Sequence, residues 1–485
     1  MLSRLVVALI AVSVFVRAAT PNAKLMDLNV VAVDSNQQPV TDLTRDEFRI
    51  TDEGRNQPIA FFRHVNGKPP EQPAAGPGEY ANGGRANARH VTVILFDMLN
   101  QRVSEASLAA DMMVRQLSNL EDSDDLFLYA LALDGKLFPI HGLDSAEAGA
   151  HWTSQIKPLM DTAMRSLRLA RPGDTNIVNV RIDLTFRALN DLAAQLSLYP
   201  GRKNLVWITD GIPAVLRAAQ SQNGQLVDYT KSLRQLGEQL AGAGVAIYPV
   251  RQFMMGSASE NGGLNSIEGL QALTAATGGR PDAGNDIGSA VQQAMRDLRS
   301  NYQIGYYPAD DNWDGKFHNL RVTCTRKGVR IQARAGYLAL QEPEGAAADR
   351  ATAVALKGRA EAVEIGLRAK LTADPKTAHQ TDVAMRIAAD DVELTQDGDR
   401  YIGQLRVTII FYRKDGSAMG MAAVPLKLSY DAGQREKALR DGIEFNRSLS
   451  LDGVARIRAL VFDYGSDMVG SLAIPMDSVA VTPRN

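Results

Sequence analysis

The chain has 485 residues, of which 45% are hydrophobic and 22% are charged, and its formal net charge is -2. This length exceeds what one hydrophobic core usually supports, so we expect several domains. The nearly balanced charge gives no electrostatic footprint for nucleic acid or an anionic membrane surface, and we set nucleic acid aside as a partner.

Residues 1–19 have the composition of a secretory signal peptide. Arg4 precedes the apolar run 5–16, and the small pair Ala18-Ala19 follows it. The run is shorter than the ~20 residues that a spanning helix needs, so an anchor is the weaker interpretation and we predict no membrane span. The single cysteine, Cys324, excludes an intramolecular disulfide. These features predict a protein exported to the periplasm or the cell exterior.

Residues 25–65 are predicted to form a small β-rich unit. Apolar and polar residues partly alternate over Met26–Val33, and Asp52-Glu53-Gly54 is a hairpin-like turn. Residues 66–89 are rich in Pro, Gly, Ala and Asn without periodicity, which is typical of a flexible linker or a long exposed loop. The main domain is therefore expected to begin near His90.

Two short apolar runs in that domain each lead to an aspartate. Val91–Phe96 runs into Asp97, and Leu205–Ile208 is followed by Thr209 and Asp210. Because these runs do not alternate with polar residues, they predict strands that are covered on both faces, as in parallel sheets. Open α/β folds hold their ligands where such strands end. We therefore expect both aspartates to lie at one crevice.

Strands and helices alternate from about residue 90 to residue 340. Repeated strand–helix units predict an α/β domain with a doubly wound, mostly parallel sheet and helices on both faces. Residues 341–354, which contain Pro, Gly and an Ala-rich run, are predicted to be a second linker. Residues 355–485 contain alternating segments between Asp-Gly turns, and this pattern predicts a C-terminal β-sandwich.

The main domain resembles the von Willebrand factor type A fold, and most closely the exported bacterial "VWFA-related" family of the acidobacterial type. The segments that carry the resemblance are Val40–Thr44, Asp46–Phe48, Val91–Asp97, Gly201–Pro213, Ile247–Val250, Gly278–Arg280, Tyr302–Tyr307 and Lys316–Tyr337. The resemblance covers about residues 25–340. It implies a Rossmann-like, doubly wound sheet and, in the wider fold, the binding of protein partners through a divalent cation.

The cation site implied by the resemblance matches this sequence only in part. That site uses an aspartate, two serines at alternate positions, a threonine from another loop and a second aspartate. Asp97 and Asp210 match the two aspartates. Leu99 stands at the first serine position and cannot ligate through its side chain. Gln101 stands at the second, where its amide oxygen or that of Asn100 could serve.

The threonine of the implied site is either Thr175 or Thr185, and the sequence leaves both open. Oxygen ligands of this kind suit Mg²⁺ or Mn²⁺. In the alternative interpretation the two aspartates hold no metal, and they accept hydrogen bonds from backbone amides at nearby helix starts.

The chain contains no Gly-x-Ser-x-Gly elbow, no His-Glu-x-x-His sequence and no phosphate loop ending in Gly-Lys-Ser/Thr, so we do not favour an enzyme. We expect an exported protein-binding or adhesion module. Its partner would dock at the carboxyl edge of the sheet, through a cation or by direct loop contact. Two alternatives stay open, namely a hydrolase whose groups converge only in the fold and a structural envelope component without a discrete ligand.

Overall fold

The computed structural model describes most of the chain after the predicted signal peptide, and residues 1–19 themselves lie outside the described part. The described residues are 25–66, 78–83, 91–100, 103–118, 120, 125–143, 152–169, 178–197, 199, 201–216, 227–251, 263–280, 286–308, 313–340, 345–357, 361–373 and 380–476. Within them, no helix is both long and apolar enough to cross a membrane.

The described helices are α1 (Val103–Leu117), α2 (Ile156–Leu169), α3 (Val178–Leu196), α4 (Thr230–Gly242), α5 (Gly263–Thr277), α6 (Ile287–Arg299), α7 (Ala346–Lys357) and α8 (Ala432–Asp441). The described strands are β1 (Met26–Val33), β2 (Phe48–Asp52), β3 (Arg55–Gln57), β4 (Phe61–Asn66), β5 (Glu79–Ala81), β6 (Val91–Asp97), β7 (Leu126–Leu131), β8 (Leu137–His141), β9 (Lys203–Ile208), β10 (Val215–Leu216), β11 (Val227–Asp228), β12 (Val245–Val250), β13 (Ser300–Tyr306), β14 (Phe317–Cys324), β15 (Arg330–Gln332), β16 (Gly336–Leu338), β17 (Leu367–Ala373), β18 (Gln380–Ile387), β19 (Thr395–Asp397), β20 (Arg400–Tyr412), β21 (Ala418–Tyr430), β22 (Ile443–Ser450), β23 (Arg456–Asp463) and β24 (Val469–Pro475).

The central sheet has five strands in the order β12-β9-β6-β7-β8. The first three neighbouring pairs are parallel, and β8 pairs with β7 antiparallel. Every residue of β6, β7, β9 and β12 is buried, because helices cover both faces. Helices α3, α4 and α5 contribute to the core on one face, and α1, α2 and α6 contribute to the core on the other.

The predicted fold class, a doubly wound and mostly parallel Rossmann-like sheet of the von Willebrand type, is wrong. The described residues form a mixed fold in which strands hold 42% and helices 31% of them, with several small antiparallel sheets beside one mixed sheet. The prediction placed Tyr302–Tyr307 with the parallel strands. The structure instead pairs β13 antiparallel with β1 and β4. A strand buried on both faces does not reveal the direction of its neighbours, and this ambiguity caused the error.

The strands of the predicted 25–65 unit are completed by strands that follow residue 300. One sheet has the order β15-β1-β13-β4 and the other the order β16-β14-β2-β3. They share a core that includes Leu28, Phe48 and Tyr302. The Tyr302 hydroxyl donates to the Val40 carbonyl oxygen at 2.8 Å and accepts from the Leu43 N–H at 3.0 Å. The segment therefore packs as part of a larger layer.

The C-terminal β layers are two antiparallel sheets around one core, ordered β22-β18-β17-β5 and β19-β20-β23-β24, with β21 paired to β20. The structure differs here from both predicted linkers. Strand β5 lies within 66–89 and pairs with β17, and the Asn82 side chain anchors it by accepting from the Leu367 N–H at 2.9 Å. Helix α7 covers much of 341–354, since its alanine-rich sequence has high helix propensity.

Candidate functional site

Asp97 is the last residue of β6, and its carboxylate contacts the neighbouring strand β9. The strands are in register, with Leu95 opposite Trp207. The Trp207 indole N–H donates to Asp97 Oδ2 at 3.1 Å. The Thr209 hydroxyl, just beyond β9, donates to the same oxygen at 2.7 Å. The ends of two parallel strands are thus joined through one carboxylate.

Asn100 closes the loop that follows β6. Its backbone N–H donates to Asp97 Oδ1 at 3.0 Å, and its side-chain Nδ2 donates to Asp97 Oδ2 at 2.9 Å. The same Nδ2 donates to Thr185 Oγ1 at 2.8 Å, which ties the loop to α3. The Thr185 hydroxyl in turn donates to the Arg181 carbonyl oxygen at 2.7 Å. A single asparagine therefore connects the strand end to the helix.

We call Asp97, Asn100, Thr185, Thr209 and Asp210 the Asp97 cluster. Asp97 and Thr185 are fully buried, whereas Asn100 and Asp210 are partly exposed. Asp210 follows Thr209 directly, so it lies at the same carboxyl edge of the sheet. The cluster combines a buried, fixed interior with polar side chains that reach the surface of the edge.

Burial raises the pKa of the Asp97 carboxyl group, while hydrogen bonds from Asn100, Thr209 and Trp207 lower it. The carboxylate is held by neutral donors, which is how a buried charge is stabilised without an ion pair. These bonds fix the two loops that follow β6 and β9. The arrangement positions loop residues at the edge before any ligand arrives.

The predicted cation ligands can be tested against this geometry. A carboxylate offers about four lone-pair positions, and four donors already contact the two oxygens of Asp97. Oδ2 accepts three of these bonds and Oδ1 accepts one, so the described hydrogen bonds leave a further lone-pair position on Oδ1. Among the described residues, no group of three or more His, Cys, Asp or Glu side chains is arranged to hold a metal ion. A cation held by Asp97 would therefore approach Oδ1, because Oδ2 is already bonded to three donors.

Of the predicted site residues, the structure brings Asp97, Asn100 and Thr185 into direct contact and places Asp210 at the same edge. Gln101 and Thr175 lie outside the described residues. Among the described residues, the threonine that contacts the loop after β6 is Thr185.

Sequence reasoning missed the roles of Trp207 and Thr209 as hydrogen-bond donors to Asp97. Trp207 is fully buried, as its place in an apolar run predicts, but it also donates to Asp97. The signal that could have identified both donors is their position at or near the end of β9. Because β6 and β9 are parallel neighbours, donors close to the end of one strand face the acid at the end of the other.

Comparison with known proteins identifies no family for this chain. No protein-family model matches it, and no curated protein matches it significantly. The resemblance to the von Willebrand factor type A and VWFA-related proteins stays a prediction from the motifs.

Proposed function

We propose that this chain is an exported protein-binding module whose partner docks at the carboxyl edge of the central sheet, over the Asp97 cluster. In this proposal Asn100 and Asp210 contact the partner, and Asp97 is a positioning residue that fixes their loops. The observation that carries the proposal is the set of four hydrogen bonds to Asp97, because they pre-organise two loops at the edge where α/β sheets hold ligands.

The proposal includes the export predicted from residues 1–19 and the partner binding implied by the family resemblance. Docking proceeds by direct loop contact. Bridging of a partner's acidic group by Mg²⁺ or Mn²⁺ is the competing mechanism, and the three donors on Asp97 Oδ2 leave Oδ1 as the oxygen that such a cation would use.

The test is capture of partners from envelope extracts with the immobilised protein, compared across single variants. Asn100→Ala and Asp210→Ala are expected to lower the amount of the captured species about tenfold or more, because truncating a hot-spot residue at the centre of an interface costs about 2 kcal/mol or more. The matched control is Asp191→Ala, an exposed acid on α3 outside the cluster. It should capture as the wild type does.

Equal capture by all the variants would reject docking at this edge. Turnover of a substrate by the purified protein on a broad hydrolase panel would favour the enzyme alternative. If no species is captured in an amount that increases with the amount of immobilised wild-type protein, a structural envelope component would be favoured.

A further inference from the structure

Two acidic residues of the C-terminal β layers, Glu393 and Asp463, are in direct contact. The Glu393 backbone N–H donates to Asp463 Oδ2 at 2.8 Å. Asp463 also accepts from the Ser466 hydroxyl at 2.7 Å and from the Gly465 N–H at 3.0 Å. A Cβ built on Gly465 would lie 3.0 Å from the Glu393 Cβ, so the glutamate side chain is pressed against this turn.

The pair is closed from the other side by the sheet that contains β4 and β13. Phe61 of β4 packs against the C-terminal core. The Tyr307 hydroxyl, one residue beyond β13, lies 3.4 Å from Thr395 Oγ1. Arg63 of β4 is the cation that acts on Glu393. We call Glu393, Asp463, Arg63 and Tyr307 the acidic junction.

The charges at the acidic junction are unbalanced towards the negative. The pKa of Glu393 is raised to about 7, mainly by burial and also by Asp463, while Arg63 opposes the rise. Burial also raises the pKa of Asp463, and Asp467 in the following turn adds to the effect. The positive charge of Arg63 is shared between two acids, because it also lowers the pKa of Asp27 on β1. Tyr307 faces both acids with its pKa raised by burial to about 12, so it stays neutral.

We propose that closure of the acidic junction is linked to proton uptake by the Glu393–Asp463 pair, so that the C-terminal β layers hold β4 and β13 more tightly in mildly acidic medium than above neutral pH. When the junction opens, water reaches both carboxylates and their pKa values return towards those of exposed acids. The closed state therefore binds the additional proton.

The direction of the effect follows from the raised pKa of the closed state. Glu393 shifts from 4.5 to about 7, so closure weakens as the pH rises from the lower to the higher pKa and then levels off. Lys203 does not produce this slope. Its pKa is lowered by burial to about 8, so it stays charged through most of that window.

The test is hydrogen–deuterium exchange of the full chain at about pH 5 and about pH 7.5, with rates corrected for the intrinsic effect of pH. Peptides covering β4 and β19 are expected to lose protection about tenfold or more at the higher pH, since one proton changes the equilibrium up to tenfold per pH unit. Peptides covering β7 of the central sheet serve as the internal reference.

In Glu393→Gln the loss of protection on β4 and β19 should shrink to the share of Asp463 and Asp27, whose pKa values burial raises to about 6. The matched control Glu444→Gln, an exposed acid on β22, should keep it. Arg63→Gln should enlarge the loss, because the opposing cation is removed, and it tests the proposal even if Glu393→Gln does not fold. Protection that is independent of pH in the wild type, an unchanged loss in Glu393→Gln or an unchanged loss in Arg63→Gln would each overturn the proposal.

Discussion

The Asp97 cluster and the acidic junction both bury carboxylates, yet they stabilise them differently. Asp97 receives four hydrogen bonds from neutral donors. At the junction, Glu393 lies beside a second acid and only part of its charge is offset by Arg63. The comparison teaches that neighbours decide the role of a buried acid. A ring of donors fixes loops in place, whereas a second acid makes the site responsive to protons.

The largest expected effect is that of Asp97→Ala. Removing the carboxylate leaves the buried donors of Trp207 and Thr209 without their acceptor, and the Asn100 loop loses its anchor. We expect the free energy of unfolding to fall by about 3 kcal/mol or more, measured by urea denaturation. Asp191→Ala on α3 is the control. A loss below about 0.5 kcal/mol would mean that the carboxylate does not hold the loops.

The next largest expected effect is that of Trp207→Phe. It removes one donor to a carboxylate and leaves most of the ring volume, so we expect a loss of about 1–2 kcal/mol in the same assay. Trp152→Phe is the matched control, because that indole donates to the neutral carbonyl of Leu126 at 3.0 Å. A larger loss for Trp152→Phe than for Trp207→Phe would contradict a special strength of the bond to Asp97.

Whereas Asp97→Ala should destabilise the folded protein, Glu393→Gln is expected to stabilise it above neutral pH. Because the folded-state pKa of Glu393 is raised to about 7, the wild type loses stability as the pH rises through the interval above 4.5. The variant should be more stable than the wild type by about 1 kcal/mol at pH ~8 and nearly equal at pH ~5. A constant difference across this range, measured by denaturation at each pH, would contradict the account.

The smallest expected effect is that of a divalent cation. Because docking by direct loop contact needs no cation and three donors already bond to Asp97 Oδ2, millimolar Mg²⁺ or Mn²⁺ should move the melting temperature of the wild type by less than about 1 °C. A clear increase that is lost in Asp97→Ala and Asp210→Ala, and kept in Asp191→Ala, would establish the bridged mechanism instead.

The sequence was sufficient to predict several individual strands and the position of one aspartate. The apolar runs of β6, β9 and β12 identified strands covered on both faces, and the aspartate at the end of β6 was assigned to a sheet edge from its position alone. The antiparallel partners of β13 could not be read in this way. They lie at β1 and β4, more than two hundred residues earlier in the chain, and an apolar strand carries no mark of its partner.

The same limit applies to the two carboxylate sites. Asp97, Asn100 and Thr185 were candidates because of their residue types, but the hydrogen bond from Trp207 depends on strand register. Glu393 was not singled out at all. Its raised pKa arises from burial against Asp463, and burial appears only when strands distant in the chain have packed.

The most direct test of partner docking is site-specific photo-crosslinking in envelope fractions. A photoreactive amino acid in place of Pro213, which is partly exposed beside the loop of Asp210, should crosslink one partner, and the same group in place of Asp191 should not. The crosslink should persist in the presence of a chelator. Equal crosslinking at the two positions would contradict docking at the carboxyl edge, and loss of the product with chelator would contradict its independence from a cation.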